Sequence, residues 1–134
     1  MPSHPLYSAN RMKLGVMAFN CSGGSTVTTA PEAWPMTWVD NVKLAQMCDQ
    51  AGFEALLPVG RWKGYGGTSN FNNRTFETLT WAAGLGAVTE QIAVLSTVHV
   101  PLMHPVAVAK QAATIDHITN GRFVLNIVCG WFRE

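Results

Sequence analysis

The sequence predicts an α/β fold built on parallel strands, and three observations carry that prediction. Four short apolar runs, at residues 12–19, 53–59, 92–98 and 122–129, show no helical period, and such runs suit strands covered on both faces. Stretches with helical spacing separate them. The runs begin about 30 to 40 residues apart, a distance that calls for parallel strands joined by right-handed helical crossovers. Two architectures share this β-α-β-α-β-α-β order, an open doubly wound sheet and a (β/α)8 barrel. Periodicity does not choose between them, although the first βα turn lacks the glycine fingerprint of the dinucleotide fold. A barrel takes typically about 250 residues, so a chain of 134 would supply half of one.

Composition narrows the function classes. Charged residues make up 13% of the chain, about half the usual share of roughly 25%, so much of the chain is expected to be buried. The net charge is +1 with no Lys/Arg cluster, which excludes nucleic acid and anionic membranes as partners. Cys21, Cys48 and Cys129 are odd in number and form no C-x-x-C pair, arguing against a disulfide framework or a zinc site. The N-terminus lacks the apolar core of a signal peptide, and no apolar run reaches about 18 residues. A cytoplasmic protein is expected.

Residues 1–11 are polar, with Pro2 and Pro5, and are predicted to be a flexible lead-in to one domain over 12–134. Residues 12–19 (MKLGVMAF) are the first strand. Residues 20–35 hold Gly23, Gly24 and an STVTT run, predicting a long loop, and its place after a strand end points to function. Thr37-Trp38-Val39-Asp40 has the S/T-x-x-D/E form of a helix start. Trp38, Val42, Ala45 and Cys48 follow at helical spacing until Gly52 closes the helix. Residues 53–59 (FEALLPV) are the second strand, with Pro58 near its end, where a lost donor is tolerable. Residues 60–73 (GRWKGYGGTSNFNN) are glycine-rich and aromatic but carry neither G-K-[ST] nor G-x-G-x-x-G, which excludes a nucleotide phosphate loop.

Residues 75–88 place Phe76, Leu79, Ala83 and Ala87 on one helical face. Gly84 and Gly86 there each cost up to about 1 kcal/mol relative to alanine, so close packing is expected to require them. Residues 92–98 (IAVLSTV) are the third strand. Pro105 suits a first helical position, and the helix it opens should bury Val108, Ala112, Ile115 and Ile118 before ending at Asn120-Gly121. Residues 122–129 are the fourth strand, with Phe123, Leu125 and Ile127 on one parity and Val124, Asn126 and Val128 on the other. Both faces are apolar and both are expected to be covered. A buried Asn126 must then find partners or cost about 1–3 kcal/mol per unpaired group, and a ligand can be such a partner.

Most other candidates read as structural, while His99, at a strand end, is open between a pocket residue and a structural histidine. His99 and His104 flank VPLM with no third ligand nearby, so no metal is expected. Asp116-His117 falls in a last helical turn, where the helix dipole favours His, and reads as a helix end. Cys129 is expected in the core, and Trp62 and Trp131 as packing residues.

The segments GRWKGYGG (residues 60–67), TWAAGLGAVTEQIAV, TVHVPLMHPVAVAKQAATIDHITNGRF and LNIVCGW resemble the bacterial luciferase-like flavin monooxygenases. Within that family the likeness is to the dimethyl sulfone, alkanesulfonate and pyrimidine monooxygenase branch. The resemblance covers nearly everything from Met12 to Trp131, and implies that the chain is the N-terminal half of a (β/α)8 TIM barrel, truncated after strand four. It further implies an enzyme in which reduced FMN, supplied by a separate NAD(P)H-dependent flavin reductase, and O2 oxygenate a small sulfone, alkanesulfonate or related substrate. Gly60, Arg61 and Asn126 match family FMN-contact positions. Residues 97–99 match a segment lining the same pocket, which makes Thr97 a cofactor contact and His99 the catalytic candidate. Glu134 is the candidate for a carboxylate that family members place after the Gly-Trp pair. Lys63 stands where some alkanesulfonate enzymes have a Cys, which excludes a thiol role there.

A reduced flavin needs apolar walls and a few aimed hydrogen bonds; Trp62, Tyr65, Phe71 and Met103 are candidates for the first, Arg61 and Asn126 for the second. Barrels usually hold phosphate on the loops after strands seven and eight, so tight FMN binding by these residues alone is not expected. The full-length protein is expected to be a homo-oligomer. Two rival readings stand beside the monooxygenase: a deazaflavin-dependent oxidoreductase of the same superfold, and a non-catalytic flavin-binding module.

Overall fold

The computed structural model describes residues 4–130. Four strands, β1 (Gly15–Met17), β2 (Ala55–Leu57), β3 (Ala93–His99) and β4 (Phe123–Val128), lie in the order β1-β2-β3-β4, every pair parallel. Three helices, α1 (Trp38–Gln50), α2 (Thr78–Gly86) and α3 (Pro105–Thr119), provide the crossovers. Leu56, Val94 and Val98 from the sheet share one core with Ala45 of α1, Leu79, Trp81 and Leu85 of α2, and Val108 and Ile115 of α3. Along β3 the residues of the other parity, Leu95, Thr97 and His99, are only half-buried. Consecutive strand order with the helices gathered against one face is the arrangement of a barrel wall. A doubly wound sheet instead reverses its order at a switch point and carries helices on both faces.

The helix signals act where their chemistry places them. Thr37 caps α1 by accepting from the Asp40 N–H at 3.1 Å, and Gly52 (φ 78°) turns the chain out behind it. Pro105 opens α3 with His104 as its cap, and Asn120, left-handed at φ 54°, closes it. Asp116 and His117 are exposed in its last turn, in keeping with a helix end.

Elsewhere the structure departs from expectation for identifiable reasons. β1 and β2 have three residues each; Ala18, left-handed at φ 69°, stops the first, and Pro58, which has no N–H, stops the second. Helix α2 begins at Thr78, because the Glu77 carboxylate accepts from the N–H groups of Leu79 and Thr80 at 3.0 and 2.7 Å. Phe76 therefore precedes the helix and Ala87 follows it, and the buried face is Leu79, Ala82, Leu85 and Gly86. On α3, Ile118 is exposed while Thr119 is fully buried. Cys129 is exposed rather than in the core, and Asn126 is half-exposed. Trp131 and Glu134 lie outside the described residues.

The two glycines of α2 are close-contact positions. A methyl group at Gly86 would overlap Thr119 Cγ2, and one at Gly84 would overlap the Trp38 ring. The neighbours differ in freedom: Thr119 is 0% exposed, whereas Trp38 is 41% exposed. Gly86→Ala is expected to destabilise by about 1–3 kcal/mol, the usual cost of overpacking. Gly84→Ala should change stability by less than about 1 kcal/mol, because the indole can swing and alanine gains helix propensity. Urea-unfolding midpoints of the two variants check the difference.

At the opposite end of the sheet Glu54 ties the N-terminal segment down. Its carboxylate accepts from Asn10 Nδ2 at 2.6 Å and from the Leu14 N–H at 2.8 Å. These two bonds, the Asn10 one foremost, and the nearby Lys13 hold the carboxyl below its ordinary range against the opposing effect of burial. A depressed folded pKa stabilises above the unfolded value of about 4.3 and loses that contribution as pH falls through the folded one. Melting temperatures measured from pH 7 to pH 3 should show wild type losing stability that Glu54→Gln never had, so the gap between them closes in acid.

Candidate functional site

The C-terminal ends of β2 and β3 open onto a cleft of about 190 Å³. Gly60, Arg61 and Trp62 line it from the segment after β2, residues 75–78 from the lead-in to α2 and its first residue, Thr97 and His99 from β3, and Met103 from the turn beyond. Gly60 is a close-approach glycine: a Cβ there would stand 3.0 Å from His99 Cε1 and 3.1 Å from Thr97 Cγ2. Three of the predicted site residues, Gly60, Thr97 and His99, therefore meet.

Thr97 is the hinge of the polar network. Its hydroxyl donates to the Pro58 carbonyl at 2.8 Å and accepts from Asn126 Nδ2 at 3.1 Å, and Asn126 lies directly beside it in register. Adjacent in-register residues share a face, so Asn126 looks to the concave side, away from the helices. It does not line the cleft but sits one strand further on, with its Oδ1 accepting no hydrogen bond from the described residues. Beneath, the Thr78 hydroxyl donates to the Thr97 carbonyl at 2.6 Å and accepts from Ser96 at 3.1 Å, pinning the start of α2 to β3.

Arg61 is buried, and its backbone carbonyl accepts from the Thr75 hydroxyl at 2.7 Å. Its guanidinium lies 4.1 Å from the centre of the Tyr65 ring and donates to the Tyr65 hydroxyl. Tyr65 in turn stacks on Phe71 with ring centres 4.5 Å apart. Tyr65 and Phe71 were expected as walls for a ligand; they stack on each other, Tyr65 holds Arg61, and neither ring lines the cleft. Trp62, exposed, and Met103, half-buried, do line the cleft.

The long segment 20–35 folds back on the same end of the sheet. Cys21 bridges to Thr75, Ser22 N–H donates to the Arg74 carbonyl at 2.9 Å, and Trp34 Nε1 donates to the Phe19 carbonyl at 2.7 Å. Burial pushes the Cys21 thiol up to about 12 although the Arg61 guanidinium opposes it, so Cys21 is a thiol and no nucleophile at neutral pH. Sequence reasoning missed Thr75, Glu77 and Thr78 on the cleft wall. The one available signal was the Glu77-Thr78 pair before an apolar helical run, which doubles as a cap. Glu134 lies outside the described residues, and no metal-binding group of three His, Cys, Asp or Glu side chains occurs among them.

The arrangement offers an imidazole, a carboxylate, hydroxyls and an indole around a small cleft, with an open amide beside it. At about 190 Å³ the cleft is below the roughly 300–1,000 Å³ of ordinary ligand pockets, while the concave face that continues it past Asn126 is open.

Comparison with known proteins agrees with this fold. The family model for luciferase-like monooxygenases matches residues 12–134. The pyrimidine monooxygenases RutA of Acinetobacter baylyi and of a Bradyrhizobium species are 39% and 38% identical to the chain, over 90% of its length. The chain spans about a third of their length, 32% and 33%. Among solved structures, riboflavin lyase with modified FMN and riboflavin superposes with a TM-score of 0.74 at 20% identity, covering 89% of this chain and 30% of that one. DmoA from Hyphomicrobium sulfonivorans gives 0.72 at 18% identity, covering 91% and 29%. Those two likenesses speak to the fold alone. With a barrel wall, a cleft at the strand ends and a family match over nearly its whole length, the chain belongs to the luciferase-like monooxygenase family.

Proposed function

We propose that this chain forms the first half of a (β/α)8 barrel, and that the completed barrel is an FMN-dependent monooxygenase drawing reduced FMN from a separate reductase. Family membership supports the reaction class. The observation that carries the site is the open amide of Asn126, held by Thr97 on the concave face next to the Gly60–His99 contact. A ring edge with donors and acceptors is what such an amide satisfies, and the glycine lets a flat group come close to the backbone. Gly60, Arg61, Thr97 and Asn126 would hold the flavin, with Glu134 a further contact. Bound reduced FMN supplies the electrons that activate O2. Leu95 and Val124, on the same face as Thr97 and Asn126, exclude water, and His99 brings to the cleft an imidazole that can donate or accept a hydrogen bond at the substrate.

For the substrate we favour a pyrimidine ring over a sulfone or alkanesulfonate, because the relatives at 38–39% identity are pyrimidine monooxygenases. No helix among the described residues is long and apolar enough to cross a membrane, and a cytoplasmic enzyme fits the reductase supply. The test joins this chain to the remaining segment of the Acinetobacter baylyi relative. Reduced FMN with uracil should then drive oxygen uptake, and a small sulfone should not. Deazaflavin-linked reduction without oxygen uptake, or flavin binding with no turnover on any of these compounds, would replace this reading by one of its rivals. In the same chimera Asn126→Ala should weaken FMN binding by about 1–2 kcal/mol, the usual loss of a buried hydrogen bond, read by fluorescence titration; unchanged affinity removes Asn126 from the site.

A further inference from the structure

Two segments distant in sequence build most of the cleft wall, residues 60–62 and 75–78, and a single side chain outside the cleft reaches Val59, just before the first, and Phe76, within the second. Asn20 is 0% exposed. Its Oδ1 accepts from the Val59 N–H at 2.9 Å and its Nδ2 donates to the Val59 carbonyl at 2.9 Å. Its backbone carbonyl accepts from the Phe76 N–H at 3.0 Å, while Nδ2 also reaches the Phe76 carbonyl at 3.4 Å.

The local chain explains why a side chain takes this part. Ala18 N–H still donates to the Leu57 carbonyl at 3.0 Å, as a strand would, but Ala18 itself is left-handed at φ 69°. The backbone of β1 is thereby turned away and cannot pair with Val59. The primary amide of Asn20 replaces it, since it alone among short side chains carries a donor and an acceptor in one plane, as a peptide does. Val59 and Phe76 immediately precede Gly60 and Glu77, so the clamp sets the height of Gly60 under His99 and Thr97 and the start of α2 beside it.

We infer that Asn20 is a positioning residue of the flavin site, acting through Val59 and Phe76 to hold the two cleft segments at the spacing the ligand requires. This rests on the proposed flavin-binding reading, and its test separates the two. In the completed barrel, Asn20→Ala and the milder Asn20→Asp, which keeps the acceptor and loses the donor, are compared with Asn41→Ala. Asn41 is also 0% exposed, but its amide serves the helix layer, accepting from Trp81 Nε1 at 2.8 Å and donating to the Thr37 carbonyl at 2.9 Å.

Both Asn20 variants should raise the FMN dissociation constant by about tenfold or more, as misplaced binding groups do, while Asn41→Ala at matched loss of melting temperature leaves it within about twofold. Without flavin, amide exchange at Val59, whose N–H loses its acceptor, should quicken in Asn20→Ala and stay protected in Asn41→Ala. Affinity falling in step with melting temperature for all three variants, or unchanged exchange at Val59 in Asn20→Ala, would overturn the assignment. If the unaltered protein binds no flavin, the flavin reading fails, and the exchange pattern alone decides whether Asn20 holds these segments.

Discussion

Replacing Arg122 with methionine is expected to cost about 3–5 kcal/mol of stability, since it leaves several buried acceptors unpaired at about 1–3 kcal/mol each. Arg122 is 9% exposed at the start of β4. Its Nη1 donates to the Ile92 carbonyl at 2.7 Å and to the Thr89 hydroxyl at 3.1 Å. Its Nη2 donates to the carbonyls of Gly86 and Thr89 at 2.9 and 2.8 Å. One fork thus satisfies the end of α2, the turn into β3 and the edge of β3 itself. Asp49 completes the knot by accepting the N–H groups of Glu90, Gln91 and Ile92 at 2.8, 2.9 and 2.6 Å. Burial lowers the pKa of Arg122, with Asp49 and Glu90 opposing that effect, yet a guanidinium stays charged throughout the working range. Methionine would fill the space and leave three carbonyls in an apolar surround. Arg122→Lys should recover only part of the loss, since an ammonium lacks the planar fork. Urea-unfolding midpoints read both variants, and a loss below about 1 kcal/mol for Arg122→Met would mean that water takes over the fork's role.

Arg122 also shows where sequence reading stops. Four strands and their parallel direction were legible because runs such as IAVLSTV are apolar on both parities, a pattern that suits a covered strand, and helical stretches separate them. The barrel was not legible from periodicity, since consecutive and reversed strand orders use the same alternation; the family-like segments supplied it. Element ends were less legible. Glu77 captures the first N–H groups of α2 and shifts its start past Phe76, and no hydrophobic period announces that a carboxylate within the periodic stretch will act as its cap. Ile118 and Thr119 exchange roles because Gly86 offers Thr119 a seat with no side chain in it, a fact located 33 residues away in the chain. The site divides in the same way. Gly60, Thr97 and His99 sit at strand ends, where barrel topology puts function, and they meet. Asn126 was expected to be buried because its neighbours are Val and Ile; it is half-exposed, since its face looks away from the helices. Asn20 carried no signal at all, because its partners Val59 and Phe76 lie 39 and 56 residues further on.

The 134-residue chain by itself is expected to self-associate and to show no turnover. Among the described residues β1 and β4 each have one strand neighbour, so each leaves one row of backbone donors and acceptors unpaired, and such rows recruit other chains. Apolar side chains stand at both edges: Met17 on β1 is 53% exposed and Ile127 on β4 is 62% exposed. Ile127 shares its parity with Phe123 and Leu125, which pack on the core, but it lies past the reach of α3. In a closed barrel, pairing would consume both edges. Sedimentation velocity at about 10 μM should therefore find oligomers, given how readily open edges pair. Met17→Lys with Ile127→Lys should raise the monomer fraction, because a lysine on an edge strand must be desolvated before another strand can dock. Joining the chain to a complete second half should do the same without either substitution. A monomer that oxygenates a pyrimidine with reduced FMN would overturn the half-barrel reading, because four strands would then suffice for a closed, water-excluding site. A monomer without turnover would keep the division of function between the two halves and place the protection of the edges in the chain itself.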